Sequence, residues 1–193
     1  MKFRRWELVL AVTLLILMLM SVMPMQTQAE LAGKMVRLHV IANSDSAEDQ
    51  ALKLAVRDRV LAEISPEDTE ISDALLERMR LTAQAELVRR GCTYPVRVLR
   101  TNMYFDTRHY DGFSLPAGNY DAVRVVIGAG AGKNWWCVLF PPLCAGVSEQ
   151  ELDCIAKEAG LTDEELAFIK GDGTVYVVKF KLVELLSRLR NLF

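Results

Sequence analysis

The feature that most constrains this chain is its first thirty residues. Lys2, Arg4 and Arg5 make a basic start, and Leu8 to Met23 is an apolar run broken only by Thr13 and Ser21. At 1.5 Å per residue a helix over that run reaches about 24 Å, short of the ~30 Å hydrocarbon core of a bilayer. A secretory signal peptide therefore fits better than a permanent span. Pro24 ends the helical pattern, and Thr27-Gln28-Ala29 places small residues at a cleavage site, with the cut after Ala29. Thr27 is not the ideal residue for its position, so an uncleaved anchor over residues 1–29 is the alternative. A buried helix of a cytosolic core is a poor reading, because nothing polar marks a solvent face between Leu8 and Met20.

The remaining residues, 30–193, suit one domain with a full core. Losing residues 1–29 removes three basic residues and Glu7, which takes the formal net charge from −2 to −4. A mildly acidic exported domain is a poor nucleic-acid ligand, and no nucleic-acid motif is present. Four cysteines remain, Cys92, Cys137, Cys144 and Cys154, without the close CxxC pairing that metal sites favour. Outside the cytoplasm Cys137 and Cys144, which close the shortest loop, are the candidate disulfide. Two reduced, buried thiols are the competing reading.

Residues 35–42 alternate as a strand, with Val36, Leu38 and Val40 on one face and Arg37 and His39 on the other. Asn43-Ser44-Asp45 is a turn, and Ser46 with Asp49 reads as a capping box opening a helix along Leu52, Val56, Val60 and Ile64. Ser65-Pro66 stops it. A second helix over 72–90 buries Leu76, Met79, Ala83 and Leu87, and Gly91 caps it. Residues 94–100 form a strand that begins near Pro95, and Met103 to Thr107 is expected to pair with it. A turn at Leu115–Gly118 launches a strand over 120–127. The Gly128–Lys133 stretch reads as a hairpin loop into a strand at 135–140. Ser148 with Glu151 and Thr162 with Glu165 open two short helices closed by Gly160 and Gly171. A last strand at 175–182 and a helix to Phe193 complete an α+β fold: a mixed sheet with a two-helix layer on one face.

Motifs for chemistry fail one by one. The GAGAGK run lacks the P-loop's first glycine, since Ile127 stands there, and Asn134 follows the lysine where Ser or Thr should hold magnesium. It also precedes a strand, whereas a dinucleotide fingerprint opens a helix. Two histidines, His39 and His109, cannot build a three-histidine zinc site. Cys137 with a histidine is a conceivable nucleophilic pair, but an apolar strand raises a thiol's pKa and makes it inert. No catalytic, cofactor, metal or small-molecule site is therefore assigned. The strands' polar register carries Arg37, Arg97, Arg124, Lys179 and Lys181, while acids crowd residues 45–86. An ordinary solvated surface is the first reading of this pattern, and a basic sheet face that docks an acidic partner or lipid headgroups is the functional one. Trp135 and Trp136 point to opposite faces; burial of both in the core is the first reading, and one of them serving a second layer or a partner is the alternative. Arg37, Arg97, Arg124 and Trp136 are the candidate partner contacts.

Two stretches go further: VRLHVIANSDSAEDQALKLAVRDRV at 36–60 and LPAGNYDAVRVVIGAGAGKNWWCVLFPPLC at 115–144. Together with the linking YPVRV and YFDTRHYDGFSLPAG segments they resemble the stage II sporulation protein R family of endospore-forming bacteria. The likeness covers about residues 35–145. It implies a protein made in the forespore and exported across its membrane into the intermembrane space. There, the resemblance implies, it triggers a membrane-embedded aspartic protease of the mother-cell membrane, which cleaves the precursor of the early mother-cell sigma factor. Such a signal needs no active site. The turn at Gly128–Gly132 is uncharged, where charged residues are expected in relatives. The competing classes are an exported envelope hydrolase, using Cys137 or a carboxylate, and a structural envelope module.

Overall fold

The computed structural model describes residues 6–7, 9–13, 28–65, 68, 70–143 and 148–171. The proposed leader therefore lies largely outside the described residues. So do the expected last strand and helix, with Lys179 and Lys181. Among the described residues no helix is long and apolar enough to cross a membrane.

Among the described residues six strands and four helices follow a short helical segment at residues 28–33. They are β1 (Val36–Ile41), α1 (Ala47–Ala62), α2 (Asp73–Arg89), β2 (Val96–Phe105), β3 (Arg108–Tyr110), β4 (Phe113–Leu115), β5 (Gly118–Ile127), β6 (Asn134–Phe140), α3 (Glu149–Glu158) and α4 (Asp163–Lys170). The main sheet has the order β2-β5-β1-β6, with β1 parallel to β5 and antiparallel to β6. It is mixed, as the strand pattern implied.

Helix ends follow local chemistry closely. The Ser46, Ser72, Ser148 and Thr162 side chains each accept the N–H three residues on. At Ser148 and Thr162 the box closes reciprocally through Glu151 and Glu165. At Ser46 only half forms, because the Asp49 carboxylate turns to the Asn43 amide (2.8 Å) and the Ser44 hydroxyl (2.5 Å). Gly91 at φ 74° ends α2: the Cys92 N–H reaches the Leu87 carbonyl and the Gly91 N–H that of Val88, both at 2.9 Å. Those are the two bonds of a glycine-terminated helix end.

α1 and α2 cover one sheet face, burying Val56, Val60, Leu75, Met79, Ala83 and Leu87 against Leu38, Val40, Val123 and Val125. The buried position at the start of α2 is Leu75, with Leu76 half-buried, one residue away from the expected stripe. The other face is not simply solvated. Phe105, Tyr120, Ala122 and Val138 are buried there in a second core with Leu31, Phe113, Leu115, Leu152, Ile169 and their neighbours. Central strands covered on both sides follow the general rule for parallel pairs.

Three connections differ from expectation. Met103 to Phe105 continue β2 as one ten-residue strand alongside β5 and do not fold back on it. The next residues instead form a separate hairpin, β3–β4, with its own two-stranded ladder. The glycine loop is no hairpin either, since β5 and β6 flank β1 and the loop must pass over the end of that strand. Its passage is fixed in detail. Ala129 N–H donates to the Asn43 side-chain oxygen (2.9 Å), Gly132 N–H to the Ala42 carbonyl (3.0 Å) and Lys133 N–H to Asp45 Oδ1 (2.6 Å). Lys53, itself buried, donates to the Lys133 carbonyl (3.1 Å) and to Gln50 (2.6 Å). At Gly132 a Cβ would collide with the Ser44 carbonyl, so the close approach of the two loops requires glycine there.

Candidate partner-binding surface

The pleat sorts residues of the second sheet face into rows. Pairing registers connect Leu99 on β2, Arg124 on β5, His39 on β1 and Trp136 on β6 into one row crossing all four strands. The row beside it carries Arg97, Val126, Ile41 and Asn134, and the row on the opposite side carries Thr101, Ala122, Arg37 and Val138. Gly130 lies close over Val126 and Ile41, so the glycine loop covers part of the Arg97 row. The β3–β4 hairpin covers the Arg37 row. Between them a strip stays open at the β2 side, with Arg97 and Arg124 exposed and Leu99 49% exposed.

Arg108 sits at the closed end of the strip, its guanidinium 5.5 Å from the centre of the Trp136 ring. Trp136 stacks on His39, centroids 3.6 Å apart and planes inclined by 16°, and meets Phe105 edge-on at 5.0 Å. Burial holds His39 well below its ordinary value, at about 4; the nearby Asn134 side chain opposes this and the Arg124 charge adds to it. The imidazole is therefore neutral at neutral pH.

On the helical side Arg57, Arg78, Arg80, Arg89 and Arg90 pair with carboxylates, whereas the exposed Arg59 has no carboxylate partner among the described residues. On the second face Arg97, Arg108 and Arg124 have no carboxylate partner among the described residues. Arg97 and Arg124 beside the exposed Leu99, with Arg108 over Trp136 at the other end of the same row, give this face a positive charge.

Arg37, the fourth candidate, is not on that surface. It is 0% exposed. Nη2 donates to the Tyr110 hydroxyl at 2.6 Å, and the guanidinium lies 4.3 Å from the Phe105 ring centre and 5.2 Å from that of Tyr120. Burial lowers its pKa, partly offset by the two tyrosines. The alternation placed Arg37 on the correct face, but period-two reasoning says which face a residue takes and not what covers it. Trp135, on the helical side, lies under the Arg57 guanidinium at 4.8 Å, so the two tryptophans do face opposite ways.

For chemistry, the arrangement offers little. Cys137 is disulfide-bonded and buried, whereas Cys92 and Cys154 are free; Cys144, its expected partner, lies outside the described residues. Cys137 pairs in register with Leu38 and His39 with Trp136, so cysteine and histidine point to opposite faces of the sheet. His109 is exposed and contacts the Ser114 hydroxyl at 2.8 Å. A cleft of about 660 Å³ near the start of β1 holds Glu70 and Asp121. Hydrogen bonds from Arg100 and Asn102 keep the Asp121 carboxyl below its usual range, the wrong direction for a general acid. Among the described residues no group of His, Cys, Asp and Glu could hold a metal ion.

Comparison with known proteins is decisive on kinship. The sequence profile of the stage II sporulation protein R family matches residues 32–150. The chain belongs to the stage II sporulation protein R family. It is 35% identical over 182 residues to stage II sporulation protein R of Bacillus subtilis (strain 168), covering 80% of each chain. No solved structure matches. The match spans β1 to the start of α3, and so includes the open strip, the glycine loop and the β3–β4 hairpin.

Proposed function

We propose that this sporulation-family protein is an exported intercompartmental signal. It crosses the forespore membrane by its N-terminal leader and reaches the intermembrane space. There it engages a membrane-embedded aspartic protease of the mother-cell membrane and promotes cleavage of the precursor of the early mother-cell sigma factor. The observation that carries this reading is the family match over residues 32–150. The basic start and apolar run of residues 2–23 support export. Arg97 and Arg124 beside Leu99, and Arg108 over Trp136 at the other end of the row, none with a carboxylate partner among the described residues, support recognition of a partner by surface charge. A cysteine hydrolase loses its footing with Cys137 bonded and turned away from His39.

The test is reconstitution in a host that does not sporulate. The protease and the sigma-factor precursor are expressed with this chain, intact or lacking residues 1–29, and precursor cleavage is followed by immunoblot. Cleavage with the exported form alone is expected. No cleavage with a folded, exported chain would remove the signalling reading.

A further inference from the structure

Arg37 poses a physical problem that the fold does not answer. A guanidinium cannot shed its charge at any ordinary pH, so burial cannot be relieved by deprotonation. Buried charges are normally paired. Among the described residues Arg37 has one hydrogen bond, to Tyr110, while its Nε and Nη1 are buried without a partner. Aromatic faces at Phe105 and Tyr120 give partial compensation. A methionine of similar length would fill the same aromatic box without that penalty. Stability alone therefore does not account for an arginine here.

Part of what covers Arg37 is a short hairpin. The β3–β4 hairpin has three residues per strand and no ladder to the main sheet. Two-stranded hairpins of this size are marginal in isolation. This one is held to the sheet by Phe113 and Leu115, both buried in the second core, and by the hydrogen bond from Arg37 to Tyr110. Arg37 is also one row away from the row of Arg124 and Trp136, where Arg97, Arg108 and Arg124 have no carboxylate partner among the described residues.

We propose that the β3–β4 hairpin is a lid over a concealed carboxylate site, and that Arg37 receives a carboxylate of the partner when the hairpin lifts. The proposal rests on the signalling reading for the identity of the partner and deepens it. Initial contact falls on the exposed arginines, and the bidentate fork of Arg37 then exchanges one tyrosine hydroxyl for two carboxylate oxygens. The site thus stays closed to free anions and opens to a partner whose docking offsets lid opening.

The test uses the full exported chain in the reconstituted cleavage assay, together with thermal unfolding of the purified domain. Arg37→Met combined with Tyr110→Phe removes the charge and the hydroxyl it would otherwise strand. The lid proposal expects a Tm equal to or above that of the unaltered protein, by up to about 10 °C, with cleavage reduced roughly 30-fold or more. Tyr110→Phe alone unfastens the lid: Tm falls, while cleavage is retained or increased. A double variant that is stable and fully active would overturn the proposal. So would a double variant that is markedly less stable, since Arg37 would then be a structural residue. The unaltered chain serves as the control. If it fails to promote cleavage, the signalling reading falls, and the Tm comparison still decides whether Arg37 is held at a cost to stability.

Discussion

His39 and Trp136 lie face to face across the β1–β6 ladder, 3.6 Å between ring centres, in the row that ends at the exposed Leu99. The imidazole is 3% exposed, and its surroundings hold it neutral down to about pH 4. In the unfolded chain a histidine titrates near 6.5. Between those values the unfolded state binds the extra proton, so stability is complete above pH 6.5 and declines as pH falls toward 4. The loss amounts to about 2 kcal/mol by pH 5 and roughly 3 kcal/mol by pH 4. Urea unfolding at pH 7, 6 and 5 measures it. His39→Phe keeps a ring on Trp136 and is expected to flatten the dependence; an unchanged slope would place the titrating group elsewhere.

The two loops that meet beyond β1 make a second prediction. Asn43 accepts from Ala129 and donates to Asp49, tying the turn after β1 to the glycine crossing. Asn43→Ala leaves one N–H without its acceptor and costs about 2 kcal/mol. Gly132→Ala is expected to cost at least as much, because its Cβ would meet the Ser44 carbonyl and backbone cannot swing aside. Gly33→Ala is the control. Nothing lies within 4 Å of a Cβ there, and the residue is helical, so the change should be neutral or slightly stabilising. Chemical denaturation of the three variants would refute the tie if Gly132→Ala and Gly33→Ala behaved alike.

What the sequence made legible was mostly what one or two turns of chain decide. The caps at Ser148 and Thr162, and the glycine that ends α2, depend on hydrogen bonds between residues three to five apart. Connections and covers depend on distant pairings and were less visible. A glycine-rich link between two antiparallel strands is ordinarily a hairpin, and only the insertion of β1 between β5 and β6 makes it a crossing. The burial of Arg37 requires the β3–β4 hairpin, whose three-residue strands are too short for a period-two signal. Arg97 and Arg124 lie exposed on the face to which the alternation assigns them. Arg108 was missed, since no strand was expected around it; its nearness to Trp136 follows from the hairpin alone.

Charge reversal at the strip separates folding from recognition. Arg97 and Arg124 are exposed and without carboxylate partners among the described residues. Arg97→Glu with Arg124→Glu should therefore shift stability by only about 0.5 kcal/mol per site. The proposed contact predicts a large loss of sigma-factor precursor cleavage, and a loss of the salt sensitivity of binding to the protease. Cleavage equal to that of the unaltered chain would exclude the strip as a docking surface.

Thiol accessibility bears on the remaining enzymatic alternative. Cys137 is bonded and buried, Cys92 is half-buried and Cys154 is exposed. Native protein treated with iodoacetamide should carry label at Cys154 first and at Cys92 slowly, with none at Cys137 until it is reduced and unfolded, as peptide mass mapping would show. A catalytic cysteine requires the reverse pattern, since a nucleophile must be a reachable thiolate of lowered pKa. Labelling of native protein is accordingly expected to leave precursor cleavage intact. Rapid modification of Cys137 with loss of cleavage would return a cysteine nucleophile to the discussion, and would also require the disulfide to open under native conditions.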